Sequence, residues 1–119
     1  MPCEIVENTG CLLVVKIMGR LSKPEIDAAQ RSAVDVIRRE GRARILIVGE
    51  NFEGWEEKGN WGDLSFMMKY DSQIERIAIV VEEKWKDLAI AFTGKGMRSA
   101  QVECFLPGQL ALARTWITS

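Results

Sequence analysis

The stretch "CLLVVKIMGRLSKPEIDAAQRSAVDVIRREGRARILIVG", residues 11–49, contains two apolar runs on either side of an amphipathic segment. The first run, residues 12–17, is apolar except at Lys16, which suits a central strand with both faces covered. The second run, residues 43–49, predicts another buried strand. Two buried strands with a helix between them indicate a parallel β-α-β unit with a right-handed crossover.

The segment between the two runs carries signals for both ends of a helix. "SKPE", Ser22 to Glu25, has the spacing of a capping box, and its proline falls in the first turn, where the missing N–H is harmless. Gly41 is the residue type that most often ends a helix. The apolar residues between these signals recur at helical spacing: Ile26, Ala29, Ala33, Val36 and Ile37.

The rest of the chain adds elements on both sides of this unit. Residues 3–8 predict a strand that a tight turn at Thr9-Gly10 joins to the next strand, so this first strand is antiparallel. Further strands are predicted over residues 74–81 and 100–105. Helices are predicted over residues 61–70, 83–93 and 107–117, the last with Leu110, Ala113 and Ile117 inward and Trp116 beside them.

This order of elements predicts an α/β fold. We expect one domain over residues 1–119, with a five-stranded, mostly parallel sheet, an antiparallel first strand and four helices.

The composition bounds the kinds of partner. Sixteen basic and seventeen acidic residues give a net charge of −1, which offers no bulk field for nucleic acid. The three cysteines are an odd number without a closely spaced pair, which fits reduced thiols in the cytoplasm. The N-terminus lacks the pattern of a signal peptide, and no apolar run approaches the ~20 residues that span a bilayer. We therefore expect a cytoplasmic protein, with peripheral contact to a membrane left open.

Catalytic chemistry finds little support in the sequence. The chain has no histidine, the commonest general base near neutral pH and the commonest metal ligand. Glu50 and Glu53 follow a predicted parallel strand, where ligand crevices form, but no nucleophile or oxyanion donor is readable beside them. "GKGMR", residues 94–98, ends a helix instead of opening one, which predicts a solvated turn and not a phosphate loop. We predict no enzyme activity, no catalytic residue, no metal site, no cofactor and no nucleic-acid partner.

Residues 51–70, "NFEGWEEKGNWGDLSFMMKY", combine large apolar side chains with a run of charges. A helix over residues 61–70 would have two apolar stripes, whereas a helix that covers a sheet needs only one. One stripe is Trp61, Leu64 and Met68, the nearly opposite one is Phe66 and Tyr70, and Met67 lies on a flank. The second stripe would face another chain, a flexible loop, a ligand or lipid. In the alternative interpretation these residues complete the core or a dimer interface.

The chain also resembles a known bacterial family, the SpoIIAA-like family, over nearly its whole length. The resemblance is most specific from Phe52 onward. The residues that carry it are Phe52, Gly54-Trp55, Trp61, Asp63-Leu64, Glu75 to Ala78, Trp85, Phe105, and Ala113 with Trp116-Ile117. The family shares its element order with STAS domains (sulfate transporter and anti-sigma factor antagonist) and is related to the CRAL-TRIO type of lipid carrier.

The resemblance implies a non-enzymatic β-α superhelix that binds a non-polar ligand or associates with membranes. It implies helices that open and close over a cavity, which correspond to residues 61–70 and 83–93 in this chain. Anti-sigma factor antagonists carry a phosphorylatable serine at the turn after the middle strand. Here that turn reads "GENFEG", residues 49–54, without serine or threonine. We therefore expect no phosphorylation site and no kinase-controlled switch.

Two functional hypotheses follow. The first is a non-catalytic domain that binds a non-polar small molecule, a lipid or a membrane surface. The second is a protein-interaction or regulatory module in which the same apolar face forms a homodimer. The predicted contact residues are Phe52, Trp55, Trp61, Leu64, Phe66, Met67, Met68, Tyr70 and Trp85.

Overall fold

The computed structural model describes residues 3–55, 71–87 and 101–119, and within these residues five strands form one sheet. The strands lie side by side in chain order. They are β1 (Cys3–Thr9), β2 (Leu12–Leu21), β3 (Ala43–Trp55), β4 (Ile74–Val80) and β5 (Gln101–Phe105). The β1 strand is antiparallel to β2, and every other neighbouring pair is parallel. The predicted mostly parallel α/β sheet with an antiparallel first strand is confirmed.

Three helices lie in the described part of the chain: α1 (Lys23–Glu40), the helical residues 83–87 (α2), and α3 (Leu110–Thr118). Short 3₁₀ turns, Asp71–Gln73 and Pro107–Gln109, precede β4 and α3. The predicted helix over residues 61–70 and the turn over residues 94–98 lie outside the described residues. No helix in the described residues is long and apolar enough to cross a membrane.

The winding of the chain places α1 and α3 on opposite faces of the sheet. The parallel strands are added in one direction, so right-handed crossovers put the connecting helices on the same face. We call this the front face, where α1 and Trp85 of α2 pack against the sheet. The opposite, back face is covered by α3. The two faces alternate along each strand because successive side chains of a strand point to opposite sides.

The front face holds the larger core. Leu13, Val15 and Ile17 of β2 meet the inner side of α1, where Ala33, Val36 and Ile37 are buried as the helical spacing predicted. Buried residues from the other strands and from the turns beside them complete this core: Ala43, Phe52, Ile74, Ile77, Ile79, Val81 and Val102. Each fully buried Val, Leu or Ile contributes about 1.5–3 kcal/mol to stability relative to an exposed one.

The back face holds a smaller core under α3. Val14, Leu46, Ala78 and Val80 of the sheet pack against Ala113 and Ile117 of the helix. Trp116 is half-buried beside them, with its ring 6.1 Å from that of Phe105. The prediction that Leu110 faces inward is wrong, since its side chain is 38% exposed. Leu110 is the first residue of α3, and the buried side of the helix begins one turn later, at Ala113.

The hairpin turn lies one residue later than predicted. Thr9 pairs with Leu12, so the two-residue loop is Gly10-Cys11 and not Thr9-Gly10. Gly10 has φ +58°, and a glycine with positive φ at the first loop position is typical of a type II′ hairpin turn. The strand therefore includes Thr9, whose β-branched side chain favours extended backbone.

The ends of α1 lie where the sequence signals placed them. Ser22 is the N-cap, but its hydroxyl donates to the Glu25 carboxylate and accepts no backbone N–H of the helix. Gly41 ends the helix in the left-handed region at φ +81°, and its N–H donates to the Ile37 carbonyl over 2.7 Å. That bond satisfies one of the carbonyls that a helix C-terminus leaves without an intrahelical partner.

The third strand is longer than the sequence indicated. We predicted that it ends at Gly49, and β3 continues to Trp55. Residues 49–54, "GENFEG", contain two glycines and an asparagine, which is the composition of a turn. Pairing with the long β2 strand overrides that local preference, because it provides backbone hydrogen bonds as far as Trp55.

Candidate functional site

Two irregularities in β3 shape the end of the sheet. Met18 pairs with Glu50, while the next two residues of β2, Gly19 and Arg20, pair with Phe52 and Gly54. The intervening residues of β3 are therefore extra, as in a β-bulge. The first of them, Asn51, has φ +52°, a left-handed conformation that asparagine tolerates better than most residues.

The first bulge decides where Phe52 points. Regular alternation from Gly49 on the front face would place residue 52 on the back face. The extra residue at Asn51 shifts the alternation by one, and Phe52 enters the front core, where it is 4% exposed. Bulges of this kind commonly re-aim a side chain at the edge of a sheet.

Phe52, Gly54 and Trp85 meet at this point, and we call them the aromatic corner. The rings of Phe52 and Trp85 lie with centroids 5.3 Å apart and planes at 68°, an edge-to-face arrangement. A Cβ at Gly54 would stand 3.1 Å from Cη2 and 3.3 Å from Cζ3 of Trp85. Gly54 also has φ +100°. The indole therefore rests on backbone that only glycine accommodates well.

A second glycine brings β3 and β4 together next to the aromatic corner. A Cβ at Gly49 would stand 2.9 Å from Cγ1 of Val81 and 3.2 Å from the carbonyl oxygen of Val80. Val81 itself is buried, and its N–H donates to the Phe105 carbonyl of β5 over 3.1 Å. The base of the aromatic corner is therefore apolar and closely packed.

Charged residues surround the apolar base. Glu53, Glu82 and Glu83 are exposed. At the start of α2, the backbone N–H of Trp85 donates to the Glu82 carbonyl over 2.9 Å. The Lys84 ammonium lies 5.7 Å from the centre of the Trp85 ring, within the range of a cation–π contact. The aromatic corner thus has an apolar base and a rim that carries both signs of charge.

Glu50 has a structural role that the sequence did not reveal. It lies in β3 and not in a solvated loop, and its carboxylate is 2.8 Å from the Lys16 ammonium on β2. The hydrogen bond and the charge of Glu50 raise the pKa of Lys16, and Glu4 adds a smaller effect in the same direction. Lys16, the one charged residue in the apolar run 12–17, is therefore accommodated by an ion pair with Glu50 on the back face.

The topology also argues against a ligand crevice beside Glu50 and Glu53, where the sequence offers no support for catalysis. In open α/β sheets such a crevice forms where the strand order reverses. The order of the described strands never reverses. The two carboxylates therefore do not lie at a topological switch point. In addition, the Glu50 carboxylate forms an ion pair with Lys16.

The structure brings together two of the predicted contact residues, Phe52 and Trp85. Trp55 ends β3, and its side chain is not among the described ones. The other six lie outside the described residues: Trp61, Leu64, Phe66, Met67, Met68 and Tyr70.

A polar cluster at the opposite end of the strands, near the start of β3 and β4, was not predicted. Nη1 of Arg44 donates to the main-chain oxygens of Ile117, over 3.0 Å, and of Ser119, over 2.6 Å. Nε of Arg44 donates to the Glu75 carboxylate over 2.9 Å. This hydrogen bond is the main cause that lowers the pKa of Glu75; partial burial opposes it, and the charges of Arg42 and Arg44 reinforce it.

Arg76 holds the same end of α3. Its Nη1 donates to the Trp116 carbonyl and to the Ser119 hydroxyl, each over 2.6 Å, and its guanidinium lies 5.2 Å from the Trp116 ring centre. We call Arg44 and Arg76 the arginine clamp. The two residues pair in register on neighbouring parallel strands. An arginine near the start of each strand was a visible signal, but its meaning depends on where α3 ends.

A shallow open pocket of about 220 Å³ adjoins the arginine clamp, and its lining includes Thr9, Cys11, Arg42 and Arg44. Cys11 is half-buried there, and Cys104 is half-buried on the front face. In residues 3–55, 71–87 and 101–119, no three His, Cys, Asp or Glu side chains are grouped so that they could hold a metal ion.

Comparison with known proteins identifies the fold and the family. An uncharacterized protein of the DUF3478 family from Shewanella loihica PV-4, which has a SpoIIAA-like fold, matches with a TM-score of 0.70. The match covers 97% of this chain and 91% of that chain at 16% sequence identity, so it shows the fold alone. No curated protein matches the chain. The SpoIIAA-like family model matches residues 12–118, which include every element of the sheet except β1. The chain therefore belongs to the SpoIIAA-like family, as its resemblance indicated.

Proposed function

We propose that this SpoIIAA-like domain binds a non-polar molecule of the lipid class at the aromatic corner and catalyses no reaction. The observation that carries the proposal is the contact of Phe52 with Trp85 over Gly54, at the end of β3. In the sequence, the aromatic and methionine-rich residues 61–70 follow this strand after five residues, "EEKGN". The lipid could also stay in its bilayer. In that form of the proposal, a cytoplasmic protein binds to the membrane surface.

The surroundings of the aromatic corner suit an amphiphile. Burial of apolar area contributes about 25 cal/mol per Å², so two or three aromatic contacts supply several kcal/mol. Methionines such as Met67 and Met68 adapt to ligands of different shape. The charged rim at Glu82, Glu83 and Lys84 would remain in water beside a polar headgroup.

The absence of catalysis is part of the proposal. The sequence has no histidine to act as a general base, and "GENFEG" has no residue for a phosphorylation switch. Binding and release of the ligand are therefore the proposed activity.

The test combines native mass spectrometry of gently purified protein with liposome co-sedimentation. We expect co-purified lipid or binding to vesicles that contain anionic lipid. Trp85→Leu should reduce the bound lipid severalfold, because it removes the indole of the aromatic corner. Trp116→Leu is the matched control, since Trp116 is also half-buried but belongs to α3 and packs on the back face.

Thermal unfolding of both variants separates loss of binding from loss of folding. The proposal fails if no lipid co-purifies and no vesicle binds the unmodified protein. It also fails if the two variants lose lipid to the same extent at equal stability.

A second candidate function is an interaction module that forms a homodimer. The observation in its favour is the exposure of several apolar side chains near the start of α3: Leu106 at 41%, Leu110 at 38% and Leu112 at 59%. Size-exclusion chromatography with light scattering tests it on the unmodified protein, Leu112→Glu and Trp61→Glu. A stable dimer that either variant converts to monomers supports the module, whereas a monomer at all concentrations rejects it.

A further inference from the structure

The α3 helix is attached to the sheet by few apolar contacts. Of its nine residues, Ala113 and Ile117 are fully buried and Trp116 is half-buried, while Leu110 and Leu112 remain exposed. The α1 helix is twice as long, with 18 residues, and buries a longer apolar stripe against the front face. Elements with few buried contacts open at a lower free energy than the rest of a protein.

Polar contacts at its C-terminal end hold α3 in place. The arginine clamp donates to the carbonyls of Trp116 and Ile117, which face away from the body of the helix. A helix C-terminus carries partial negative charge, so two guanidinium groups are well placed there. Both arginines project from neighbouring strands of the sheet, where Arg44 pairs in register with Arg76. An ion pair also joins Arg114 of α3 to Glu7 of β1 at 3.1 Å, but it is partly exposed and contributes little.

The opposite end of α3 has the features of a hinge. A single 3₁₀ turn, Pro107–Gln109, connects it to β5. The turn is closed by two local bonds: the Leu106 N–H donates to the Gln109 side chain over 2.9 Å, and the Gln109 N–H donates to the Leu106 carbonyl over 2.8 Å. These bonds persist whether or not α3 touches the sheet, because both partners lie within the turn.

We propose that α3 is a lid on the back face, hinged at Pro107–Gln109 and fastened by the arginine clamp. It opens as a unit while the sheet and α1 stay folded. Opening uncovers Val14, Leu46, Ala78 and Val80, an apolar surface on the side of the sheet opposite the aromatic corner. The lid is independent of the proposed lipid site, since no residue of α3 belongs to that site.

Native-state hydrogen exchange at increasing urea tests the lid in the unmodified protein. We expect amides of α3 to exchange through an opening with a shallow urea dependence, at least tenfold faster than amides of β4, which require global unfolding. The variant Arg76→Gln should accelerate exchange in α3 by roughly tenfold, because it removes a charged donor from two helix-end acceptors.

Arg39→Ala is the matched control. Arg39 also donates to a backbone carbonyl, that of Gly10, and to the Asn8 side chain, but these contacts join α1 to the β1–β2 hairpin and remain in the open state. This variant should accelerate exchange in β4 and leave α3 within about twofold of the unmodified protein. Equal exchange rates and urea dependence for α3 and β4 in the unmodified protein would overturn the proposal. Equal acceleration of both elements by Arg39→Ala would overturn it as well.

Discussion

The indole of Trp85 lies against the backbone of Gly54, so closely that a Cβ at Gly54 would stand 3.1 Å from its Cη2 atom. Gly54 also has φ +100°, which residues with a Cβ rarely adopt. We therefore expect Gly54→Ala to lower the free energy of unfolding by about 1–3 kcal/mol. Urea unfolding measures the change. Gly108→Ala is the control, since a Cβ there meets no atom within 4 Å. Equal stability of the two variants would contradict this account of the aromatic corner.

The bulge at Asn51 gives a second prediction. Asn51 has φ +52°, which costs a β-branched residue about 1–2 kcal/mol and costs glycine nothing in sterics. Asn51→Val should therefore destabilise the protein by about that amount, while Asn51→Gly should be close to neutral. Thermal unfolding of the two variants gives the comparison. If valine is tolerated as well as glycine, the strand does not keep this bulge in solution.

Phe52 gives a third prediction, because the bulge turns it into the front core. Phe52→Ala removes a ring that is 4% exposed and should cost about 3–5 kcal/mol of stability. Tyrosine is the informative partner variant, since it keeps the ring and adds a hydroxyl that needs a buried partner. We expect an intermediate loss for Phe52→Tyr by urea unfolding. A loss below about 1 kcal/mol for alanine would show that the ring is not packed as described.

The pKa of Glu75 gives a fourth prediction, on pH. It is lowered in the folded state, mainly by the hydrogen bond from Arg44. A lowered pKa stabilises the fold above the unfolded value of about 4.3 and loses that effect as the pH falls through the folded value. The unmodified protein should therefore exceed Glu75→Gln in stability at neutral pH, and the difference should shrink below about pH 4. Unfolding free energies across pH 3–7 check this.

The effect at Glu75 is small, because the side chain is 38% exposed and solvent screens it. A difference between the two proteins that stays constant from pH 7 to pH 3 would contradict the pairing with Arg44. A difference that grows toward low pH would contradict the sign of the shift.

The β2-α1-β3 unit could be predicted because its signals are local. The helical spacing of Ala33, Val36 and Ile37 and the terminating Gly41 depend only on neighbouring residues. The end of β3 could not be predicted in the same way. Its glycines and asparagine favour a turn locally, and only pairing with β2 keeps these residues extended. The sequence alone does not indicate that β2 extends far enough to pair with residues 50–55 of β3.

Two residues of the candidate site were named from the sequence, but their arrangement could not be. Phe52 and Trp85 were both expected to take part, and they are in contact. Their contact depends on the bulge at Asn51, which shifts the alternation of β3 by one residue. The arginine clamp was missed for a related reason. Arg44 and Arg76 are 32 positions apart, and only the sheet register and the end of α3 bring them to the adjacent carbonyls of Ile117 and Trp116.

The order of the strands matters while the chain is being made. Because spatial order follows chain order, no strand of the described sheet has to enter between two strands already in place. Each new strand needs only the edge left by the previous one, and the chain is synthesised from its N-terminal side. The described strands therefore leave the ribosome in the order in which they add to the sheet, and α3 follows them to cover the back face.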